Sequence, residues 1–195
     1  MQYPTSPAGH NHKTNSRNGV CCKKRASSTC HFHLKDEVIS ILYFNAISIR
    51  NKLWELKILL DTNTYDLIFI SESWLKENDM DSDVVNSNYC IIRMDRKSHA
   101  GGVAVIYKAT LADRVVTYSV DESKMIGFEL LMFDLYLTRR CNLTFVCVYL
   151  PPQSSTNLYT VTSFLTYLKS IITDRREVYI IGDFNFSQYS TNKIV

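Results

Sequence analysis

Val178-Tyr179-Ile180-Ile181-Gly182-Asp183-Phe184-Asn185 decides how this chain is read. A short apolar run ended by a glycine has the length and composition of a buried strand. Side chains two residues apart on an extended segment share a face, so Asp183 and Asn185 are expected to point together out of the end of a sheet. The same residues also read as an Asx-rich turn closing a strand, because Asp and Asn are ordinary turn residues. The rest of the chain has to decide between the two.

Working outward, residues 38–44 form a second apolar run that ends at Asn45. Ile49, Leu53, Leu56 and Leu60 then recur at helical spacing, with Ser48 as a candidate cap. Residues 67–70 predict another strand, ending at Ser71-Glu72-Ser73-Trp74. A polar stretch with acids at Asp79, Asp81 and Asp83 leads to a short strand at 89–92. Gly101-Gly102 opens the apolar strand 103–107. Residues 128–137 and 143–149 predict a hairpin, which Pro151-Pro152 terminates. A second amphipathic helix is expected over 159–172, with Phe164, Leu165, Leu168 and Ile172 on one side. Strands and helices that interleave around a hairpin predict a layered α/β fold with a mixed sheet.

The composition agrees with a globular domain. The chain has 195 residues, 46% hydrophobic and 21% charged, enough for one domain with a real core. No apolar run approaches the length that spans a bilayer, and no signal-peptide pattern opens the chain. Six cysteines spread over an apolar chain of this size predict a reducing, intracellular compartment. The net charge of +3 is uneven: residues 1–35 carry six basic residues and no acid, and the remainder is slightly acidic. Residues 1–35 are predicted to be a disordered basic extension, and residues 36–195 the folded part. A basic arm of this kind can neutralise phosphates. Cys21, Cys22, Cys30, His31 and His33 fall in that arm, but at spacings unlike those of structural zinc sites.

Polar residues stand just beyond several apolar strands: Asn45, Glu72, Tyr149 and the Asp183/Asn185 pair. Strand ends are where α/β sheets place their binding crevices. Metal-assisted cleavage of a phosphate ester suits this set. A hard cation such as Mg²⁺ (or Mn²⁺) takes one or two carboxylates plus water and phosphate oxygens, and Glu72 is the candidate ligand. Asp183 would move protons at the attacking water or the leaving oxygen. Asn45 and Asn185 would orient water or phosphate, and the Tyr149 hydroxyl would donate to a phosphate oxygen. Each residue also has a plain structural reading. Glu72 can cap a helix near Trp74, Asn45 can cap the helix after it, and Tyr149 can be a half-buried strand residue.

Five blocks in order carry a family resemblance. They are residues 45–53 (NAISIRNKL), Ser71-Glu72-Ser73-Trp74-Leu75, Arg93-Met94-Asp95-Arg96 with Gly101-Gly102-Val103-Ala104-Val105, Val148-Tyr149-Leu150-Pro151-Pro152, and Gly182-Asp183-Phe184-Asn185. The chain resembles the endonuclease/exonuclease/phosphatase family from about Val38 to Asn185, above all the endonuclease domains of non-LTR (LINE-type) retrotransposons. The resemblance implies a DNase I-like sandwich of two mixed sheets with outer helices. It implies that Glu72 binds the metal, that Asn45 and Tyr149 lie on the metal and phosphate side, and that Asp183 is the catalytic aspartate with Asn185 as its orienting partner. It further implies DNA as partner through its phosphate backbone, nicking to prime reverse transcription, and a reverse transcriptase domain and a nuclear location for the parent element. A non-catalytic remnant with weak metal or nucleic-acid binding, or a phosphatase or phosphodiesterase of the same fold, is the alternative.

The family pattern ends in a Ser-Asp-His motif, and no Asp-His pair occurs in this chain. His99, the one histidine beyond residue 35, precedes the glycines, where the family does not place its catalytic histidine. The second lobe is therefore expected to be incomplete, as in a truncated copy, and the chain to be weak or inactive as a nuclease.

Overall fold

The computed structural model describes residues 27–34, 37–96, 100–138, 141–152, 158–175 and 177–185. Two sheets stack face to face. The first contains β1 (Ser27–Leu34), β2 (Glu37–Asn45), β3 (Leu67–Ser71), β4 (Tyr89–Met94) and β5 (Val103–Lys108), in the order β1-β2-β3-β5-β4. The second contains β6 (Val115–Thr117), β7 (Glu129–Thr138), β8 (Cys141–Tyr149) and β9 (Val178–Asp183), in that order. Both are mixed: β2 and β3 run parallel, as do β8 and β9, and the other pairs are antiparallel. Helix α1 (Leu53–Asp61) crosses over from β2 to β3, α2 (Asp81–Val84) is a single turn, and α3 (Leu158–Ile172) crosses over from β8 to β9.

The period-2 alternation of the strands sorts side chains into three apolar layers. Ile39 and Ile41 of β2, Leu67 and Phe69 of β3 and Val103 and Val105 of β5 meet Leu131, Phe133 and Leu135 of β7 and Phe145 and Cys147 of β8 between the sheets. Phe69, Phe133 and Phe145 stack at its centre, with ring centroids 5.3–6.0 Å apart. The even-numbered positions face outward. Ile68, Ile70, Ala104 and Ile106 pack under Leu56 and Leu60 of α1. Leu130, Met132, Val146 and Val148 pack under Phe164, Tyr167 and Leu168 of α3. The result is a helix–sheet–sheet–helix sandwich: the layered α/β fold that the interleaved elements predict, in the two-sheet form that the family resemblance implies.

Three details depart from the sequence reading. The disordered extension was expected to run to residue 35, but Ser27–Leu34 forms β1 and pairs antiparallel with β2, from Ser27 opposite Phe44 to Leu34 opposite Glu37. Residues 1–26, with Cys21 and Cys22, lie outside the described residues. Ser48 caps nothing: a 3-10 turn at Arg50–Lys52 precedes α1, and no side chain caps either start. Glu72 does not cap a helix either, since extended and turn backbone follows it as far as Met80. Among the described residues, no helix is long and apolar enough to cross a membrane.

Candidate active site

The site forms where the inter-sheet layer runs out. Along β2 the inward positions are Ile39, Ile41, Tyr43 and then Asn45; along β9 they are Tyr179, Ile181 and then Asp183. Strand β8 ends its inward line with Tyr149, and β7 begins its own with Glu129, which pairs in register with Tyr149. Apolar side chains thus give way to polar ones at one end of the sandwich, as four strands reach it. Glu72 arrives one residue beyond β3, on a left-handed backbone with φ of 53° that turns the chain out of the sheet.

Asn45 is the hub. Its Nδ2 donates to Glu72 Oε1 at 2.8 Å and to Asp183 Oδ2 at 3.0 Å, so one amide group joins carboxylates from both sheets. Its Oδ1 accepts from the Ile47 backbone N–H at 3.1 Å, which fixes the amide orientation. Tyr149 is 5% exposed. Burial, with the neighbouring Glu72 carboxylate adding to it, pushes its hydroxyl far above the usual tyrosine range, so it stays protonated beside Glu72. Tyr43, one step deeper than Asn45, lies 2.9 Å from the buried Ser71 hydroxyl. Its own hydroxyl is likewise pushed up by burial, with Asp183 adding to the effect. Beneath it, burial pushes the Cys147 thiol up to about 12.

Asn185 is placed differently from its four companions. The strand ends at Asp183, and Asn185 takes a left-handed φ of 46°. The two side chains therefore do not share a face. The Asn185 amide donates to the Leu150 carbonyl at 2.9 Å, and its backbone N–H meets Asp183 Oδ1 at 3.3 Å. Asn185 touches the aspartate through its backbone, while its side chain ties the end of β9 to the segment after β8. Leu150 N–H closes the same corner on the Asp183 carbonyl at 2.8 Å. Leu75 is 1% exposed and packs in the core.

Sequence reasoning missed Glu129. Only 7% exposed, it meets Arg96 Nε at 3.1 Å, and burial raises its carboxyl above the usual range although Arg96 opposes the shift. An acid on the inward line of an otherwise apolar strand was the signal that could have found it. Residues 97–99, including His99, lie outside the described residues.

The donor set suits a hard divalent cation. Glu72 and Asp183 turn carboxylate oxygens toward the same Asn45 amide group, and no soft ligand stands among the three. Among the described residues no three His, Cys, Asp or Glu side chains make a closed cage. A cation held here would rest on one or two carboxylates, with water filling its other positions.

A two-sheet sandwich with outer helices and a polar cluster at one end defines a class, the endonuclease/exonuclease/phosphatase fold of DNase I type. No family model matches the chain, and no curated protein does. Solved structures do match. The endonuclease domain of TRAS1, a telomere-specific non-LTR retrotransposon, superposes with a TM-score of 0.52 at 15% identity, over 74% of this chain and 58% of that one. The 3′ phosphatase NExo from Neisseria, bound to a product DNA hairpin, gives 0.56 at 16% identity, over 74% and 57%. An AP endonuclease from Archaeoglobus fulgidus gives 0.54 at 17% identity, over 75% and 57%. The chain therefore spans less than two thirds of the length of these structures. At such identities the likeness establishes the fold, and function must be argued from the site.

Proposed function

We propose that this chain is a phosphodiester-hydrolase domain that holds a divalent cation on Glu72 and acts on the phosphate backbone of DNA. The observation that carries the reading is the Asn45 amide spanning Glu72 and Asp183, which sets one acid from each sheet around a single small space. A bound Mg²⁺ or Mn²⁺ would polarise a phosphoryl oxygen and offset charge developing there. The chain's own residues supply the rest. Asp183, oriented by Asn45 and by the Asn185 N–H, takes the proton from the attacking water. The protonated Tyr149 hydroxyl can turn from Glu72 toward a phosphate oxygen. In a longer parent protein, nicking by such a domain would fit the priming of reverse transcription in an element like the one that carries the TRAS1 domain.

A second reading concerns these 195 residues taken alone, which hold no Asp-His pair. A site lacking that acid–base and electrostatic group would bind metal and DNA but turn over about 10²- to 10⁴-fold more slowly. The two readings share Glu72, so metal binding is tested first. Mg²⁺ should raise the melting temperature of the wild-type chain and leave that of Glu72→Gln unmoved. Equal shifts in both proteins would refute the site. Supercoiled-plasmid nicking then separates the readings: slow nicking lost in Asp183→Ala supports hydrolysis, and none at all supports the non-catalytic form.

A further inference from the structure

The block around Arg96 and the two glycines has no part in the reading above, yet it is built with care. Glu129 buries a carboxylate at the end of an apolar line, a costly placement unless a cation answers it. The answering cation is Arg96, through Nε at 3.1 Å, with its side chain 36% exposed against 9% for the glutamate. Among the described residues, Glu129 Oε2 has no hydrogen-bond partner, and the Gly102 backbone joins Arg96 in opposing the effect of burial on the carboxyl.

The arginine runs in a channel that a side chain would close. A Cβ on Gly101 would lie 2.7 Å from Arg96 Cδ and 3.1 Å from both Arg96 Nη1 and Glu129 Oε1, and Gly101 has a φ of 112°. The glycine turn is in turn sewn to the loop that carries Glu72. Trp74 N–H donates to the Gly101 carbonyl at 2.9 Å, and Ser73 N–H to that of Gly102 at 3.2 Å. Glu129 pairs in register with Tyr149, whose hydroxyl lies beside the Glu72 carboxylate. Arg96 is thus anchored at the rim of the site on its Glu72 side. An arginine held by Nε keeps its two terminal amino groups as a fork, the geometry that grips a phosphate through two hydrogen bonds.

We propose that Arg96, seated on Glu129, grips a DNA phosphate next to the one held at Glu72 and Asp183. This rests on the phosphodiester reading of the site and adds a second contact to the strand. The contact positions the strand and carries no sequence information.

The test is the salt dependence of DNA binding by the full chain, measured as anisotropy of a labelled duplex in EDTA. Each phosphate contact contributes about −0.9 to the slope of log K against log salt. Arg96→Gln should make the slope shallower by about that amount, and Arg96→Lys should restore it while binding more weakly. Because Arg96→Gln orphans Glu129 and risks misfolding, the double variant Arg96→Gln/Glu129→Gln carries the same test with neutral partners, and it too should lose one contact. Lys169→Gln, an exposed charge on α3, should leave the slope unchanged. An unaltered slope in the Arg96 variants, or an equal loss in Lys169→Gln, would overturn this contact and leave the metal site standing. A wild-type chain with no affinity for DNA would overturn this contact together with the DNA reading on which it rests.

Discussion

Replacing Asn45 with Asp changes one atom group and reverses the chemistry at the hub. The amide donates to Glu72 at 2.8 Å and to Asp183 at 3.0 Å. A carboxylate there donates nothing and adds a third negative charge to the pair. Hydrogen bonds to charged acceptors contribute about 1.5–3 kcal/mol each, and at partly buried positions the lower figure applies. Two lost bonds give about 3 kcal/mol before any repulsion. Repulsion between close like charges adds to that, although the open end of the site screens it. Urea unfolding in EDTA should therefore show Asn45→Asp at least about 3 kcal/mol less stable than wild type. The sign of the pH dependence follows. The new carboxyl has a folded-state pKa raised by its neighbours, so its penalty is full at neutral pH and shrinks as the pH falls through the carboxylate range. Excess Mg²⁺ should also recover much of the loss, because a cation among three carboxylates is favoured. A deficit below about 1 kcal/mol in EDTA would mean that Asn45 does not join the two sheets, and the site would have to be drawn again.

Two further outcomes test the frame that presents these residues. A Cβ on Gly182 would lie 1.8 Å from the Val148 carbonyl oxygen, which is backbone and cannot swing aside. Gly182→Ala should cost about 3 kcal/mol and loosen β9, and a wild-type urea midpoint would contradict the close parallel pairing with β8. At the opposite end of β2, Asp66 accepts from the Ser40 N–H at 2.7 Å, from the Ser40 hydroxyl at 2.6 Å and from Lys108 at 3.0 Å. Burial pushes its carboxyl up, but those hydrogen bonds and the lysine outweigh burial and hold it below the usual range. A depressed folded-state pKa gives stability that is present above the ordinary carboxylate value and lost as the pH falls through the lower one. Asp66→Asn should thus be about 1 kcal/mol less stable at neutral pH and indistinguishable from wild type in strong acid. A pH-independent difference would rule out the charge as its source.

The core was legible because alternation and helical spacing are strong signals in long apolar segments. The hairpin of β7 and β8 and the helix α3 fall within a residue or two of their expected places. β6 spans three residues, Val115–Thr117, too few for any period to show. β1 is more instructive. In Ser27–Leu34 the apolar Cys30, Phe32 and Leu34 alternate with Thr29, His31 and His33, a period-2 pattern. The polar, basic composition of the surrounding arm outweighed it in the reading. Pairing with β2 supplies what composition cannot record, a partner strand already held in place.

Within the site, legibility followed the strand parity. Asn45, Tyr149 and Asp183 could be found because each is a polar residue where an apolar alternation stops. Glu72 lies outside any strand, and only its position after β3 pointed to it. Asn185 shows the limit of the rule. Parity assumes extended backbone, and the chain abandons it at Asp183, so the side chain two residues on turns to the Leu150 carbonyl. Glu129 failed for the opposite reason. It obeys parity inside the strand expected over 128–137, but a single acid next to that strand's start names no partner. Only the register that sets it opposite Tyr149, together with an arginine thirty-odd positions earlier in the chain, gives that carboxylate a meaning. Local sequence specifies which way a side chain faces. Which strand end it faces is a property of pairing across the chain, and the chemistry of this site resides in that pairing.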